Sequence, residues 1–368
     1  MANLVLYRKY RPKTFAEVVG QTHVVTTLKN ALALGICSHA YLFAGPRGSG
    51  KTTIARILAK AINCSDQKEG EPCNRCASCE EINSGRAIDL IEIDAASNRG
   101  IDEVRDLKEG IRFAPTMLKY KVYIVDEAHQ LTKEAANALL KTLEEPPAHA
   151  IFILATTEAH KMIPTILSRC QKFDFRKLKL AEIVRETELI AEKEDVPIEK
   201  SALELIAANA QGSLRDALTL LDKILTFHLS FGKKEGVTAD LVKELLGVVD
   251  ASIVSEFVDL LVKKDAAKAI EFLNENLEKG MDPLEFAKNA VRYLRNVLVV
   301  QVNPTLQNML DDFTEEQKQK IAEQAKGFDA TMLPKVLFSF MEAENKMKYS
   351  SIVQLPLELA IIESCGLR

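Results

Sequence analysis

The feature that most constrains this sequence is a glycine-rich turn between a strand-like run and a helical pattern. The strand-like run is AYLFAG, and the helical pattern KTTIARILAKAI follows directly after the turn. Glycines at such a turn let backbone N–H groups and the start of the helix point at one bound anion. The spacing G-x-x-x-x-G-K-T therefore predicts a phosphate-binding P-loop made of Gly45, Pro46, Arg47, Gly48, Ser49, Gly50, Lys51 and Thr52.

The P-loop motif also assigns individual roles. Lys51 is expected to neutralise the β- and γ-phosphates of ATP, and the Thr52 hydroxyl is expected to bind Mg²⁺. Thr53 follows as part of the same nucleotide-binding segment. The alternative is a chance match in a glycine-rich turn, and the order of strand, loop and helix argues against it.

An acidic pair ends a second apolar run. Val122 to Val125 lead directly into Asp126 and Glu127. Carboxylates at the end of a buried strand are costly unless they face a cation or a reacting water. Asp126 is the expected Mg²⁺ partner, and Glu127 the group that orients or deprotonates the attacking water. Two acidic helix-capping residues are the alternative, which does not explain their occurrence together with a P-loop.

Four of the seven cysteines lie in one short polar stretch, residues 64–79. Cys64, Cys73, Cys76 and Cys79 have the spacing C-x₈-C-x₂-C-x₂-C. Four thiolates close to one another suit a closed, structural Zn²⁺ site, without an open position for catalysis. Four unrelated thiols are the alternative. The odd cysteine count and the crowding of these four together favour a reducing cytosol with a metal site over a secreted disulfide framework.

The rest of the chain indicates an α/β region followed by helices. Four runs are expected to be strands of a parallel sheet, apolar throughout and buried on both faces: 40–45, 89–94, 121–126 and 150–156. After Phe175 the pattern is helical, with helices expected at 180–194, 201–210 and 214–225. The predicted domains are an ATPase domain with its zinc module (1–178), a small helical domain (179–240) and an all-helical domain (241–368).

Charge and hydropathy add two expectations. The formal net charge of −4 argues against a surface that is basic throughout, although a local groove for nucleic acid remains compatible with it. The start of the chain is basic where a signal peptide needs an apolar run, and the longest apolar stretches have strand length. A cytoplasmic protein without a membrane partner is expected.

The N-terminal segment carries a family resemblance. Tyr7-Arg8-Lys9-Tyr10-Arg11-Pro12, followed by Thr14 to Gln21, resembles the opening box of the gamma/tau subunits of the bacterial DNA polymerase III clamp loader, which are AAA+ ATPases. The resemblance extends over essentially the whole chain and includes the cysteine module. It implies that the opening box surrounds the adenine of ATP. The expected contact residues are Tyr7, Arg11, Pro12, Val18 and Val19. Taken alone, the segment predicts a basic turn and a helix capped by Thr14 and Glu17.

Three further residues receive roles from this resemblance. Thr156, at the end of the fourth predicted strand, resembles sensor 1. Arg169, in the segment Leu167-Ser168-Arg169-Cys170, resembles an arginine finger acting in trans. Arg215, in the segment from Gly212 to Ala217, resembles sensor 2. Without the family, Thr156 is an ordinary strand-end residue, Arg169 a cation at a helix C-terminus and Arg215 a solvated side chain.

The resemblance also implies the fold and the partners. It implies an AAA+ P-loop domain with a parallel sheet, a small helical lid and an all-α collar that drives oligomerisation. The expected cofactors are ATP, Mg²⁺ and Zn²⁺. The expected partners are delta- and delta-prime-like subunits, further copies of the chain, the sliding clamp, primer–template DNA and the replicative polymerase. Candidate DNA contacts are Arg99, Arg105 and Lys141, for which a solvated helix face is the alternative.

Two other classes of protein share parts of this pattern. A ring-shaped AAA+ DNA motor has the same ATP motifs, but the four-cysteine module and the Ser-Arg-Cys segment argue against it. A catalytically silent stator has the same fold, but Lys51, Thr52 and Glu127, which such a subunit does not need, are all present.

Overall fold

The computed structural model describes residues 4–97, 110–111, 113–230, 236–246, 251–305 and 315–366. The chain divides into two compact units, Met1–Val242 and Lys243–Arg368. None of the helices in the described ranges is long and apolar enough to cross a membrane.

The first unit is built on a parallel, five-stranded sheet. Its strands, in the spatial order β2-β3-β4-β1-β5, are β1 (Ala40–Ala44), β2 (Leu90–Asp94), β3 (Lys121–Asp126), β4 (Ala150–Thr156) and β5 (Gln171–Asp174). Ala44 pairs with Thr156 and Asp94 pairs with Asp126. The carboxyl ends of four neighbouring strands therefore lie level, at the edge where parallel sheets place their ligand sites.

Helices cover both faces of the sheet, as the sequence predicts. They are α1 (Leu6–Lys9), α2 (Thr22–Ala33), α3 (Lys51–Asn63), α4 (Ala77–Ser84), α5 (Lys133–Glu144) and α6 (Pro164–Leu167). On one face, Ile54 and Leu58 of α3 pack against Phe43. On the other, Leu139 of α5 packs against Phe152. Burial of this apolar surface holds α3 and α5 against the strands and so fixes the starting points of both helices.

Two strand predictions need correction. The run at 89–94 is a strand, but it is not buried on both faces: β2 lies at the sheet edge with half-buried and exposed side chains, and its Glu92 pairs with Arg56 at 2.5 Å. β5 at the opposite edge was not among the predicted strands, because Phe173 is its only buried residue. Edge strands face solvent on one side and lose the apolar signature of central strands.

The predicted helix capped by Thr14 and Glu17 is also wrong. Residues 12–20 form no helix, and the Glu17 carboxylate accepts a hydrogen bond from the Lys13 N–H at 2.6 Å instead of capping one. The next helix, α2, begins at Thr22.

A helical lid follows the sheet. It contains α7 (Leu180–Lys193), α8 (Lys200–Asn209) and α9 (Leu214–Ser230), and α10 (Ala239–Leu246) comes next in the chain. The three predicted lid helices are confirmed, with α9 continuing beyond its predicted end at Leu225. Arg176 donates to Glu182 of α7 at 2.6 Å, which ties the lid to the segment after β5.

The described residues of the second unit form helices joined by short connections. Its helices are α11 (Ala251–Val262), α12 (Ala266–Glu278), α13 (Pro283–Val302), α14 (Glu315–Gly327), α15 (Leu333–Met347) and α16 (Leu355–Ser364). The Phe257 ring lies edge-on to Phe286 and Phe340, at centroid distances of 4.9 and 5.9 Å. α13, α15 and α16 each have a proline in the first turn, where the missing N–H of proline costs no hydrogen bond within the helix.

Candidate functional site

The glycine-rich turn lies between β1 and α3 at the carboxyl edge of the sheet. Gly48 and Gly50 have φ angles of +72° and +98°, which L side chains rarely adopt. α3 begins at Lys51, so its first N–H groups, which have no partner within the helix, face the turn. A turn of this shape at a helix N-terminus suits a phosphate group.

Lys51 is almost fully buried, with 6% of its surface exposed. Its ammonium group donates to the carbonyl oxygens of Gly45 and Pro46 at 2.8 and 2.9 Å. Burial lowers the pKa of Lys51, while the nearby carboxylates of Glu127 and Asp126 act in the opposite direction. The turn therefore holds a buried cation beside two carboxylates.

Thr52 and Asp126 come together across the sheet edge. The Thr52 hydroxyl donates to Asp126 Oδ2 at 2.7 Å. Hydroxyl and carboxylate oxygens are the hard ligands that Mg²⁺ takes from proteins beside phosphate groups. The chemistry of this pair therefore fits a magnesium ion.

Glu127 is positioned by the end of β4. Its backbone has a φ of +49°, and Oε2 accepts hydrogen bonds from the Thr157 N–H and hydroxyl at 3.2 and 2.8 Å. The buried His129 ring lies beside it, with Nδ1 at 3.4 Å from Glu127 Oε2 and 3.0 Å from the Thr156 hydroxyl. His129 Nε2 is 3.1 Å from Glu158 Oε2. The acidic residue and Thr156 thus belong to one hydrogen-bonded group.

The lid brings Arg215 to the same edge of the sheet. The Arg215 guanidinium lies over the Tyr7 ring, 4.9 Å from its centroid, within the range of a cation–π contact. Ser213, at the start of α9, lies so close to Gly48 that a Cβ on this glycine would overlap the Ser213 hydroxyl. The lid therefore touches the P-loop directly.

One cavity collects most of the predicted nucleotide-binding residues. It is lined by Lys51, Asp126, Glu127 and Arg215, and by the other members Tyr7, Arg11, Pro12, Val18, Val19, Arg47, Gly48, Ser49, Gly50, Thr52 and Thr53. Gly45 and Pro46 are not among the lining residues, but their carbonyl oxygens accept hydrogen bonds from the Lys51 ammonium. Thr156 is also not among the lining residues of the cavity. It is linked to Glu127 by the His129 ring, which contacts both side chains.

Arg169 lies away from this cavity. Its guanidinium donates to Glu144 Oε1 at 2.6 Å and to the Thr165 carbonyl oxygen at 2.8 Å. Glu144 ends α5, the helix that follows the acidic pair, and about a third of the Arg169 side chain is exposed. The arginine is thus held at the protein surface, outside the nucleotide cavity of its own chain.

The four predicted metal-ligating cysteines converge. The Sγ atoms of Cys64, Cys73, Cys76 and Cys79 lie within 4.8 Å of one another, and two of the pairs are 3.9 and 4.0 Å apart. A tetrahedron with Zn–S bonds of about 2.3 Å has edges of about 3.8 Å, so the donor set fits zinc. Burial raises the pKa of the Cys76 thiol, but hydrogen bonds from Ser65 and Cys79 outweigh this effect and lower the pKa to about 6.

The cysteine module is attached to the N-terminal box. Glu71 accepts a hydrogen bond from the Phe15 N–H at 2.8 Å, and its other oxygen lies 3.0 Å from the Lys29 ammonium. Phe15 is buried in the core beside α2 and α3. The module therefore supports the segment that carries Val18 and Val19.

The structure describes only one of the three predicted DNA contacts. Arg99 and Arg105 lie outside the described residues, and Lys141 is an exposed residue of α5. Their role in DNA binding stays a prediction.

Several site residues were missed by sequence reasoning. His129 and Thr157 contact Glu127, Ser213 contacts the P-loop, and Glu186 lines the cavity from α7. His129 and Thr157 each stand one or two residues from a predicted site residue, and proximity was their only signal. Nothing in the local sequence distinguishes Glu186 from the other glutamates of α7.

Comparison with known protein families covers most of the chain. Residues 20–179 match the model described as DNA polymerase III, delta subunit. Residues 182–227 match the ATPase lid domain of DNA polymerase III clamp loader subunits. Residues 237–367 match domain III of the DNA polymerase III subunits gamma and tau. The three matches follow one another along the chain without overlap.

Similar curated proteins carry the same names. The chain is 42% identical to DNA polymerase III subunit tau of Bacillus subtilis over 99% of its own length and 64% of that protein. For subunit tau of Escherichia coli the identity is 43%, over 83% of the chain and 46% of that protein. Subunit gamma of Buchnera aphidicola is 34% identical over 97% of both chains. The chain thus spans between about half and two thirds of the two tau relatives.

Solved structures share the fold. The RuvB Holliday junction branch migration motor of Thermotoga maritima superposes with a TM-score of 0.51 at 21% identity, over 69% of this chain and 79% of that one. This likeness, the parallel sheet, the lid and the helical second unit confirm the predicted AAA+ fold class. On the strength of its similarity to relatives along nearly its full length, the chain belongs to the gamma/tau family of DNA polymerase III subunits.

Proposed function

We propose that this chain is an ATP-hydrolysing subunit of a clamp loader, which opens a sliding clamp and places it on primer–template DNA. The observation that carries the proposal is a single cavity in which the P-loop, the acidic pair and Arg215 of the lid meet. The family to which the chain belongs supports the same function.

Phosphate binding is assigned to the buried cation of the turn. Lys51 now donates to two carbonyl oxygens of its own loop. A triphosphate offers it charged oxygen acceptors, to which hydrogen bonds are stronger than to neutral carbonyls. Arg215 gives up its contact with Tyr7 and approaches the same phosphates from the lid. Bound phosphates thereby add a second link between the lid and the P-loop, beside the contact of Ser213 with Gly48.

Hydrolysis is assigned to Glu127. Thr52 and Asp126 would hold Mg²⁺, which when bound neutralises charge on the β- and γ-phosphates. The Glu127 carboxylate accepts a proton from, or orients, the water that attacks the γ-phosphate. The Thr156 hydroxyl is hydrogen-bonded to the His129 ring, and that ring also contacts the Glu127 carboxylate. Thr156 thereby helps to fix the position of Glu127.

Arg169 is assigned to the site of a neighbouring subunit. It lies outside the cavity of its own chain and is partly exposed, which suits a group that completes another chain's site. An arginine supplied in trans stabilises the charge that develops on the transferred phosphoryl group. The Glu144 carboxylate holds this guanidinium until the neighbour's phosphates replace it.

Assembly is assigned to the second unit. Large apolar side chains are exposed on α15, on α16 and between them: Phe338, Met341, Tyr349, Ile352, Val353, Leu355 and Leu359. An exposed apolar surface of this kind is typical of a protein–protein interface. Its proposed occupants are further copies of the chain and delta- and delta-prime-like subunits. The sliding clamp, DNA and the replicative polymerase are the remaining proposed partners.

ATP then works by changing affinities between two states. The ATP-bound arrangement favours an open clamp and bound DNA, and hydrolysis favours their release. The chain itself performs no chemistry on DNA in this account.

The proposal is tested by the ATPase rate of the chain alone, with the other subunits, and after addition of clamp and primed DNA. We expect stimulation by clamp and primed DNA together, and loss of the stimulated rate in Lys51→Ala. A rate that grows with duplex length would instead indicate a translocating motor. No hydrolysis by the wild-type chain in any mixture would indicate a stator, and either result would overturn the proposal.

A further inference from the structure

The nucleotide cavity is lined by both polar and apolar residues. The P-loop, Asp126 and Glu127 supply polar groups that suit phosphates. The N-terminal box and the lid add the apolar and aromatic residues Tyr10, Pro12, Val18, Val19, Leu214 and Leu218. A flat aromatic base fits between side chains of this kind. We therefore expect the nucleoside part of a bound nucleotide to lie between the N-terminal box and the lid.

One acidic side chain from the lid lines this cavity. Glu186 lies on α7, and Ile190 and Lys193 follow it by one and two turns on the same helix face. The Lys193 ammonium lies 5.6 Å from the centroid of the Tyr10 ring. This face of α7 is therefore turned toward the N-terminal box, and Glu186 lies among the residues that we expect to surround the nucleoside.

Two glutamates near Glu186 in the chain are paired, and Glu186 is not. Glu182 pairs with Arg176 at 2.6 Å, and Glu194 pairs with Lys9 at 2.7 Å. The Glu186 carboxylate makes no hydrogen bond or ion pair of this length with any residue in the described part of the chain. Burial raises the pKa of Glu186, although Lys193 and Arg185 attract the carboxylate from a distance. A carboxylate that lines the cavity without a protein partner is open to a donor on the ligand, and a hydrogen bond to a charged acceptor is stronger than one to a neutral acceptor.

We propose that Glu186 selects the base of the nucleotide, by accepting a hydrogen bond from the exocyclic amine of adenine. The inference rests on the proposed function, since it names a determinant of ATP specificity in the same cavity. A purine without that amine leaves the Glu186 carboxylate without a donor. A purine with an oxygen in place of the amine brings two hydrogen-bond acceptors, that oxygen and the carboxylate, close together, which is unfavourable. Sites that hydrogen-bond one substrate group discriminate strongly against analogues that lack it.

The test compares ATP with purine riboside 5′-triphosphate, which has hydrogen in place of the amine. Both are titrated calorimetrically into the full 368-residue chain in buffer without Mg²⁺. We expect the wild-type chain to bind ATP about tenfold more tightly, the ratio for one charge-assisted hydrogen bond. Glu186→Ala should bring this ratio close to one, and Glu186→Gln, which keeps an oxygen acceptor, should retain part of it. The matched control is Glu188→Ala, an exposed glutamate on the same helix, which should keep the wild-type ratio.

The outcomes separate this inference from the proposed function. Equal binding of both triphosphates by the wild-type chain, or an equal loss for both in Glu186→Ala, would overturn the role of Glu186 and leave the ATP site intact. A third titration uses 2′-deoxy-ATP, which keeps the amine but lacks the ribose 2′-hydroxyl. If the wild-type chain binds it more weakly than ATP, and Glu186→Ala binds both equally, then Glu186 contacts the ribose. That result would also overturn the inference. If the wild-type chain binds no triphosphate, the proposed function itself fails.

Discussion

The hydroxyl of Ser213 in the lid lies directly over Gly48 of the P-loop, with no space between them for a Cβ. Ser213 also begins α9 by accepting a hydrogen bond from the Asp216 N–H at 3.2 Å. Two residues further on in the chain, Arg215 reaches the cavity. The position of α9, and with it that of Arg215, thus depends on the absence of a side chain at Gly48.

Gly48→Ala should weaken ATP binding by at least about tenfold, because the added methyl group displaces the lid and φ is positive at this position. Binding is measured by calorimetry. Gly48→Ala combined with Ser213→Gly should recover part of the affinity, since Gly at a helix N-cap costs only a few tenths of a kcal/mol. Affinity unchanged in Gly48→Ala would contradict the close contact between lid and loop.

Zinc should be present at about one ion per chain, and replacing both Cys76 and Cys79 by serine should remove it. Because the module holds Phe15 through Glu71, we expect a lower melting temperature and weaker ATP binding, with some hydrolysis retained. Elemental analysis of protein purified without chelator measures the metal. Cys37→Ser, at an exposed cysteine outside the module, is the control. A folded wild-type sample without metal would exclude the site.

The Arg176–Glu182 pair should make the lid's attachment sensitive to acid. The hydrogen bond from Arg176 lowers the pKa of Glu182 from 4.5 to about 2. A carboxyl with a depressed pKa stabilises the folded state above its unfolded pKa, and this contribution is lost as the pH falls from about 4.5 toward 2. Glu182→Gln should therefore lower stability at neutral pH by about 1 kcal/mol, as the pair is partly exposed.

Thermal unfolding of wild type and Glu182→Gln across this pH range measures the effect. The difference between the two melting temperatures should shrink steadily as the pH falls. A difference that is the same at pH 7 and pH 2.5 would show that Glu182 does not stabilise the fold through its charge.

Much of the fold follows from local patterns in the sequence. β1, β3 and β4 are buried on both faces, and their apolar runs predicted them within a residue or two. The P-loop and the acidic pair each stand at a strand's carboxyl end, so their meeting follows from the geometry of a parallel sheet. β2 and β5 deviate because edge strands need fewer apolar side chains.

The rest of the site depends on contacts between distant segments. Glu186 lines the cavity because α7 packs beside the N-terminal box, which no pattern within α7 reveals. Ser213 and Gly48 meet only when the lid packs against the P-loop. The roles given to Thr156, Arg169 and Arg215 rest on family resemblance and stay predictions.

The trans role of Arg169 is tested by mixing two inactive variants. Arg169→Ala should leave ATP binding by the single chain unchanged, because this residue is outside its own cavity. Hydrolysis by the assembly should fall by about 10³-fold or more, as for other arginine fingers. A mixture of Arg169→Ala and Lys51→Ala chains should regain some activity. In such a mixture, the intact P-loop of an Arg169→Ala chain can lie beside the intact Arg169 of a Lys51→Ala neighbour. Assembly is confirmed by size in each mixture. Fully assembled mixtures that stay inactive would contradict the assignment.

The central claim is that the cavity binds ATP and that Glu127 supports its hydrolysis. The most direct test is a single-turnover measurement of ATP hydrolysis by assembled complexes with the wild-type chain or Glu127→Gln, with ATP affinity measured in parallel. The account predicts equal binding and a rate about 10² to 10⁴ times lower in the variant, the usual contribution of a general base. Hydrolysis at the wild-type rate by Glu127→Gln, with ATP bound equally well, would contradict it.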